Sequence, residues 1–271
     1  MILRFLSCFT LLYSFTLTAG GDLLPVGVRF NAMGNAGTSL SDLWSIGGNQ
    51  AGLAFLKKPG VGIVYANQFL LSQTGTSSVA GVLPVKQGTF GIQVSQHGYS
   101  LYKETQSGIA FAKSFGENIG AGVKLSYLQV SQGEEFEKKN LLIAEMGLQA
   151  RFAKSLVLGV HLFNPNRSKI ADYEEERVPT ILSLGMHYEF SEKVLVAMAV
   201  HKNSFYKADF CTGLEYKVIP EIILRAGFST FPQTFSFGTG IVLKKIKIDL
   251  SSSFHSVLGI SPQVGLQYDL K

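Results

Sequence analysis

From about residue 61 to the last residue the chain repeats one pattern, in which apolar side chains alternate with small or polar ones at a period of two. Such alternation puts successive side chains on opposite faces of a strand. The last run is the clearest: Val264, Leu266, Tyr268 and Leu270 fall on one face, and Gln263, Gly265, Gln267 and Asp269 on the other. Phe210, Leu214, Tyr216 and Val218 alternate in the same way with Cys211, Gly213, Glu215 and Lys217. A soluble sandwich would also alternate, but its wet face usually carries many Lys and Glu. Here the second face is mainly Gly, Ala, Ser, Gln and His with scattered charges, which suits a crowded polar lumen.

The address agrees with that reading. Met1–Arg4 carries a positive charge, Phe5–Leu17 is apolar, and Leu17-Thr18-Ala19 ends in a small residue, so residues 1–19 read as a signal peptide. The apolar core is shorter than the roughly 18–20 residues of a spanning helix. Cys8 lies inside that core, too early for a lipoprotein site, and leaves Cys211 as the one cysteine of the mature chain. Neither an intramolecular disulfide nor a cysteine metal cluster is then available. Only 16% of residues are charged and no later stretch is a long apolar run. An exported, apolar chain without a spanning helix fits a transmembrane barrel, because closed barrels satisfy their backbone groups in lipid. Basic clusters with interleaved aromatics are missing, so no nucleic-acid partner is expected.

The alternation predicts about fourteen strands, over 61–71, 77–85, 88–97, 105–115, 119–132, 140–152, 156–164, 179–190, 194–203, 207–218, 221–229, 234–243, 246–254 and 260–270. An even count is what bacterial barrels require. Connections such as Lys86-Gln87, Ile219-Pro220 and Lys244-Lys245 are tight. Those at Gly98–Glu104, Gly133–Lys139 and Pro165–Val178 read as longer. Short periplasmic turns with longer outer loops put both termini in the periplasm of a Gram-negative bacterium. Phe115, Phe152, Phe190, Tyr216 and Tyr268 then share the inner end of the apolar face as an aromatic girdle.

Residues 20–57 precede the barrel, residues 58–271, and show no strand period. Their small-residue composition predicts a plug inside the lumen. Ser41-Asp42 is a helix start, Leu43, Trp44 and Ile46 give one apolar turn, and Gly47-Gly48 ends it. Asn49–Ala54 reads as a turn or a second short helix. Trp44, the only tryptophan, is expected to face the barrel wall from inside.

Arg29, Ala32-Met33-Gly34-Asn35-Ala36-Gly37, Asp42 and Asn49-Gln50-Ala51-Gly52-Leu53-Ala54 resemble the leader of the PorV/PorQ family, part of the wider FadL-like group of outer-membrane barrels. Gln50 stands where that family usually has Pro, and Gly48 where an aromatic is common. The resemblance is close in the leader and elsewhere extends only to architecture. It marks Arg29, Met33, Gly34, Asp42, Trp44 and Asn49 as plug residues. It implies either a type IX secretion-associated docking or attachment barrel, with a translocon or exported cargo as partner, or a FadL-like transporter of hydrophobic compounds. Gln263, Gly265, Tyr268 and Leu270 resemble the C-terminal assembly signal of outer-membrane barrels, which implies the barrel-assembly machinery as a further partner beside membrane lipid.

No enzyme signature is present: no Gly-x-Ser-x-Gly elbow, His-Glu-x-x-His or P-loop. Catalytic residues, cofactors and metals are therefore not expected. His161, His187 and His201 would share the lumen face, but polar packing explains them without close ligand spacing. Glu145, Arg151, Glu189, Glu215, Lys217, Arg225, Lys247 and Asp269 are lumen charges of both signs. Most should pair with one another or with Arg29 and Asp42. Asp172, Glu174, Glu175 and Glu176 mark the long loop as a solvated outer surface, without EF-hand spacing.

Overall fold

The computed structural model describes residues 27–133, 138–152, 155–169 and 178–270. The signal peptide, residues 20–26 and the acidic side chains of the long loop lie outside them. Among the described residues no helix is long and apolar enough to cross a membrane.

Fourteen strands form one closed antiparallel barrel. They are β1 Gly60–Asn67, β2 Gly75–Val85, β3 Gly88–Tyr99, β4 Tyr102–Phe115, β5 Ile119–Gln132, β6 Lys139–Arg151, β7 Leu156–Phe163, β8 Ile181–Glu189, β9 Val194–Asn203, β10 Asp209–Ile219, β11 Ile222–Thr230, β12 Gln233–Leu243, β13 Ile246–His255 and β14 Gly259–Asp269. Each strand pairs with its neighbours in sequence, and β1 closes on β14 from Gly60↔Asp269 to Ala66↔Gln263. Closure removes both sheet edges.

The alternation sorts the two faces as expected. Val264, Leu266 and Tyr268 point outward and are exposed, while Gln263 and Gly265 are buried inside. The outer surface is a continuous apolar band, with Ile109 64% and Phe237 63% exposed. A surface of this kind is stable against lipid rather than water. Phe115, Phe152, Phe190, Tyr216 and Tyr268 stand exposed near the ends of their strands, as predicted. A second set, including Tyr99, Tyr127, Phe210, Phe235 and Phe254, marks the opposite end. Two aromatic belts therefore bracket the band.

Two connections differ from the sequence reading. Gly98–Glu104 is not a long loop: β3 and β4 stay paired to Tyr99↔Tyr102, leaving only Ser100 and Leu101 between them. The polar pairs His97↔Glu104 and Gly98↔Lys103 extend the ladder, although they interrupt the apolar rhythm. Conversely, β1 stops at Asn67 rather than residue 71. Phe69 and Leu70 take left-handed conformations within a short turn, Gln68–Leu70, and a second, Ser72–Thr74, follows. One end of the barrel (the turn end) still carries the uniformly short connections, and the other (the loop end) carries the longer ones.

Candidate functional site

The N-terminal segment, residues 27–56, packs against the inner face of the barrel. It begins with a single helical turn, α1 Val28–Ala32, which the sequence reading lacked. It continues through 3-10 helices Leu43–Gly47 and Gln50–Phe55, where the start at Asp42 and the second short helix were expected. Asp42 accepts a hydrogen bond from Trp44 N at 2.8 Å, and Ser45 Oγ accepts one from Asp42 N at 3.1 Å, which closes a capping box. Asn49 Oδ1 accepts from Ala51 N at 3.1 Å and starts the second helix.

The segment explains the inward glycines. A Cβ on Gly227 would lie 2.1 Å from Gly34 N, one on Gly147 2.0 Å from Asn49 Oδ1, and one on Gly159 2.4 Å from Thr38 O. On Gly213 it would meet Met33 Cβ at 2.5 Å. At these places segment and wall approach so closely that any side chain would occupy the same space. Met33, Leu43, Ile46 and Leu53 are fully buried in the resulting core. Trp44 is also buried, and its ring faces Gly62 of β1, so its expected contact with the wall is present.

Polar inner-face residues tie the segment down on two sides. On one side, Arg29 Nε and Nη2 donate to Glu215 Oε2 and Oε1 at 2.8 and 2.9 Å, and its Nη1 meets Asp42 Oδ2 at 3.3 Å. Arg225 Nε also donates to Glu215, at 2.8 Å, and Arg225 Nη1 reaches Asp249 at 2.5 Å. Burial pulls the Arg29 pKa down, but the Glu215 and Asp42 carboxylates outweigh it and hold it above the ordinary value. Burial pushes the Asp42 carboxyl up, against the opposing pull of Arg29.

On the other side, Glu145 accepts from Lys124 Nζ at 3.1 Å and from Gln50 Nε2 at 2.7 Å, with His161 Nε2 at 3.3 Å. Gln50 thus departs from the leader pattern for a physical reason: its amide meets a buried carboxylate that a proline could not serve. Asn49 Nδ2 donates to Thr38 O and to Leu148 O of β6, at 2.8 and 3.0 Å.

The remaining expected site residues separate by position. His187 is hydrogen-bonded to Ser39 Oγ at 3.0 Å, and His201 to Ser183 Oγ and Asn35 O at 2.8 and 3.1 Å. No group of three metal-ligating side chains assembles among the described residues. Arg151 lies over the Phe55 ring, 3.7 Å from its centroid. Glu189 and Lys217 are exposed at the turn-end mouth, outside both ion networks. Lys247 reaches Asp269 at 3.6 Å. Lys124 and Asp249, absent from the expected charge set, are paired inside; Lys124 shares the inward face with Gly122 and Ser126, opposite Val123 and Leu125, and that was the available signal. In the C-terminal strand Gln263 and Gly265 point inward, while Tyr268 and Leu270 are exposed.

The loop end holds a second feature. The β7 strand is short and pairs with β6 only from Glu145↔Phe163 to Arg151↔Val157. Beyond it, side chains complete the wall: Ala144 N donates to Asn166 Oδ1 at 3.0 Å, and Asn166 Nδ2 donates to Leu142 O at 2.8 Å. Ser168 Oγ also donates to Leu142 O. An open cup of about 450 Å³ lies here, lined by Tyr127, Asn140, Leu142, Asn166 and Lys169 among others. Beside it the inner face carries a second apolar cluster, separate from the core around the N-terminal segment. Leu128, Val130, Leu141, Ile143, Phe163, Val178 and Ile181 form a buried cluster, with Tyr102 against it.

No family model matches the chain, and no curated protein matches its sequence. Solved structures do match. A deletion mutant of the TodX monoaromatic hydrocarbon channel aligns with a TM-score of 0.75 at 13% identity, over 92% of this chain and 100% of that one. The toluene transporter TbuX of Ralstonia pickettii aligns at 0.70 with 11% identity, over 92% and 100%. A FadL homologue of Pseudomonas aeruginosa aligns at 0.63 with 13% identity, over 90% and 98%. The chain thus has the fold of the FadL-type outer-membrane barrels, closed by fourteen antiparallel strands.

Proposed function

We propose that this protein is an outer-membrane channel for a hydrophobic compound, with its N-terminal segment as the plug. The observation that carries this reading is the apolar cluster around Ile143 and Phe163 on the inner face, beside the wall section completed by Asn166 and Ser168. A barrel that passed polar solutes would have no need of an apolar inner patch. Ligand sites for hydrophobes are concave and largely apolar. The fold shared with hydrocarbon and toluene transporters supports the same reading over a secretion-associated docking barrel. In this account the turn end faces the periplasm, and the C-terminal pattern ending at Leu270 is read by the barrel-assembly machinery.

The test is uptake of a labelled monoaromatic hydrocarbon and of a labelled long-chain fatty acid, by cells lacking their own hydrophobe channels. Expression of the chain should raise uptake of at least one, and Ile143→Asn together with Phe163→Asn should abolish the gain while the barrel still folds. Equal uptake with and without the chain would remove the transport reading. Recovery of a secretion translocon bound to the barrel would then favour docking.

A further inference from the structure

Two-residue turns differ in chemistry between the two ends of the barrel, although one turn-end connection, Pro220-Glu221, is acidic. At the loop end, β3 is joined to β4 by Ser100-Leu101, and β11 to β12 by Phe231-Pro232. At the turn end, β2 is joined to β3 by Lys86-Gln87, and β12 to β13 by Lys244-Lys245. Turn length therefore does not demand lysine. At Lys244 the backbone even opposes it: φ is 52°, a left-handed conformation that favours Gly or Asn. Lys58, Lys113 and Lys193 lie at the same end, and all six of these lysines are exposed; they outnumber the exposed turn-end carboxylates Glu117, Glu192 and Glu221 that stand among them. Among the described residues none of the six is held in an ion pair.

One of them also lies at a defined level. Lys113 projects from the outward face of β4, with Nζ 5.9 Å from the centroid of the Phe115 ring, and Phe115 belongs to the turn-end aromatic belt. Aromatic belts sit at the lipid headgroups. Lysines at and just beyond that belt stand where phosphates are, and juxtamembrane basic groups are attracted to anionic leaflets.

We infer that the turn-end lysines form a binding surface for the phosphate headgroups of anionic glycerophospholipids. The inference rests on the membrane-spanning reading of the barrel and is independent of what the barrel transports. A water-facing rim would need only polar turns, which Ser, Asn or Gln would supply. Ammonium groups held in no ion pair at the strand ends of one mouth, with Lys113 at the level of the aromatic belt, instead match a plane of anionic charge.

The full chain is inserted into phosphatidylcholine vesicles, and insertion is verified by heat-modifiable migration. Spin-labelled phosphatidylglycerol and phosphatidylcholine then report the lipids against its surface. The wild type should prefer the anionic probe by about threefold, and the preference should fall towards one in high salt. The variant K86Q/K113Q/K193Q/K244Q/K245Q should lose it. Should that variant fail to insert, K244Q/K245Q should still lower the preference. A wild-type preference of one, or an undiminished preference in an inserted variant, overturns the inference. Inorganic phosphate that abolishes the preference where chloride of equal ionic strength does not would reassign the lysines to free-anion binding and overturn the lipid surface. A wild type that does not insert would overturn the membrane reading itself.

Discussion

Arg29 and Glu215, 186 residues apart, meet fork to fork inside the barrel, with Arg29 Nε and Nη2 on the two carboxylate oxygens at 2.8 and 2.9 Å. This contact joins α1 to the wall at β10. Arg225 shares the same carboxylate, so one acidic group serves two guanidinium groups. Replacing Glu215 with Gln leaves both cations facing each other without their shared counter-ion. Breaking a buried pair of this kind costs about 3 kcal/mol or more. The expected result is a lower denaturant midpoint for the heat-modifiable barrel, together with protease cleavage within residues 27–59. An unchanged midpoint would mean that Asp42 alone suffices for Arg29.

Gly227 tests the close approach of segment and wall. Alanine there would place a Cβ 2.1 Å from Gly34 N and 2.2 Å from the Met33 carbonyl carbon. Overpacking should cost about 1–3 kcal/mol in the full chain. In a chain without residues 27–56 the same substitution should be nearly neutral, because the clash has gone. Thermal unfolding of the four proteins forms a double-mutant cycle, and equal costs in both backgrounds would show that the segment does not lie on β11.

Trp44 is buried against β1 from the inside and is the only tryptophan in the chain. Its fluorescence should be blue-shifted, shielded from aqueous acrylamide and little affected by brominated lipid. Trp44→Ala should cost about 3–5 kcal/mol and lower the heat resistance of the folded barrel. Strong quenching by brominated lipid would place the indole outside.

Asn166 stands in for a missing strand neighbour beside β6. Asn166→Ala removes both bonds at a partly hydrated site, with a cost of about 1 kcal/mol. The change should be local. Hydrogen exchange at Ala144 should accelerate, while exchange at Met146, whose amide faces β7 within the β6–β7 ladder, should not.

Much of this architecture is legible in the sequence because a barrel wall is written locally. β5 and β9 fall at the predicted limits, 119–132 and 194–203, since a period of two reveals itself whatever lies across the lumen. The limits fail where pairing overrides that rhythm, as along His97–Lys103, or where the backbone turns aside, as at Phe69. The interior is harder to read. The inward glycines are visible as small residues, but their reason, the backbone at Thr38 and Met33, lies more than a hundred positions away. Charge pairing was foreseen for Arg29, Glu215 and Arg225. The partner of Glu145 was not, because Lys124 sits on a neighbouring strand whose register only the closed barrel sets.

The most direct test of the central claim, that the barrel is filled by its own N-terminal segment, is ion conductance in a planar bilayer. The full chain and a chain lacking residues 27–56 are compared, both first shown to be folded and inserted. The account predicts a nearly silent full-length barrel and steady ion conductance once the segment is removed. A full-length barrel that already conducts as freely as the shortened one would contradict it.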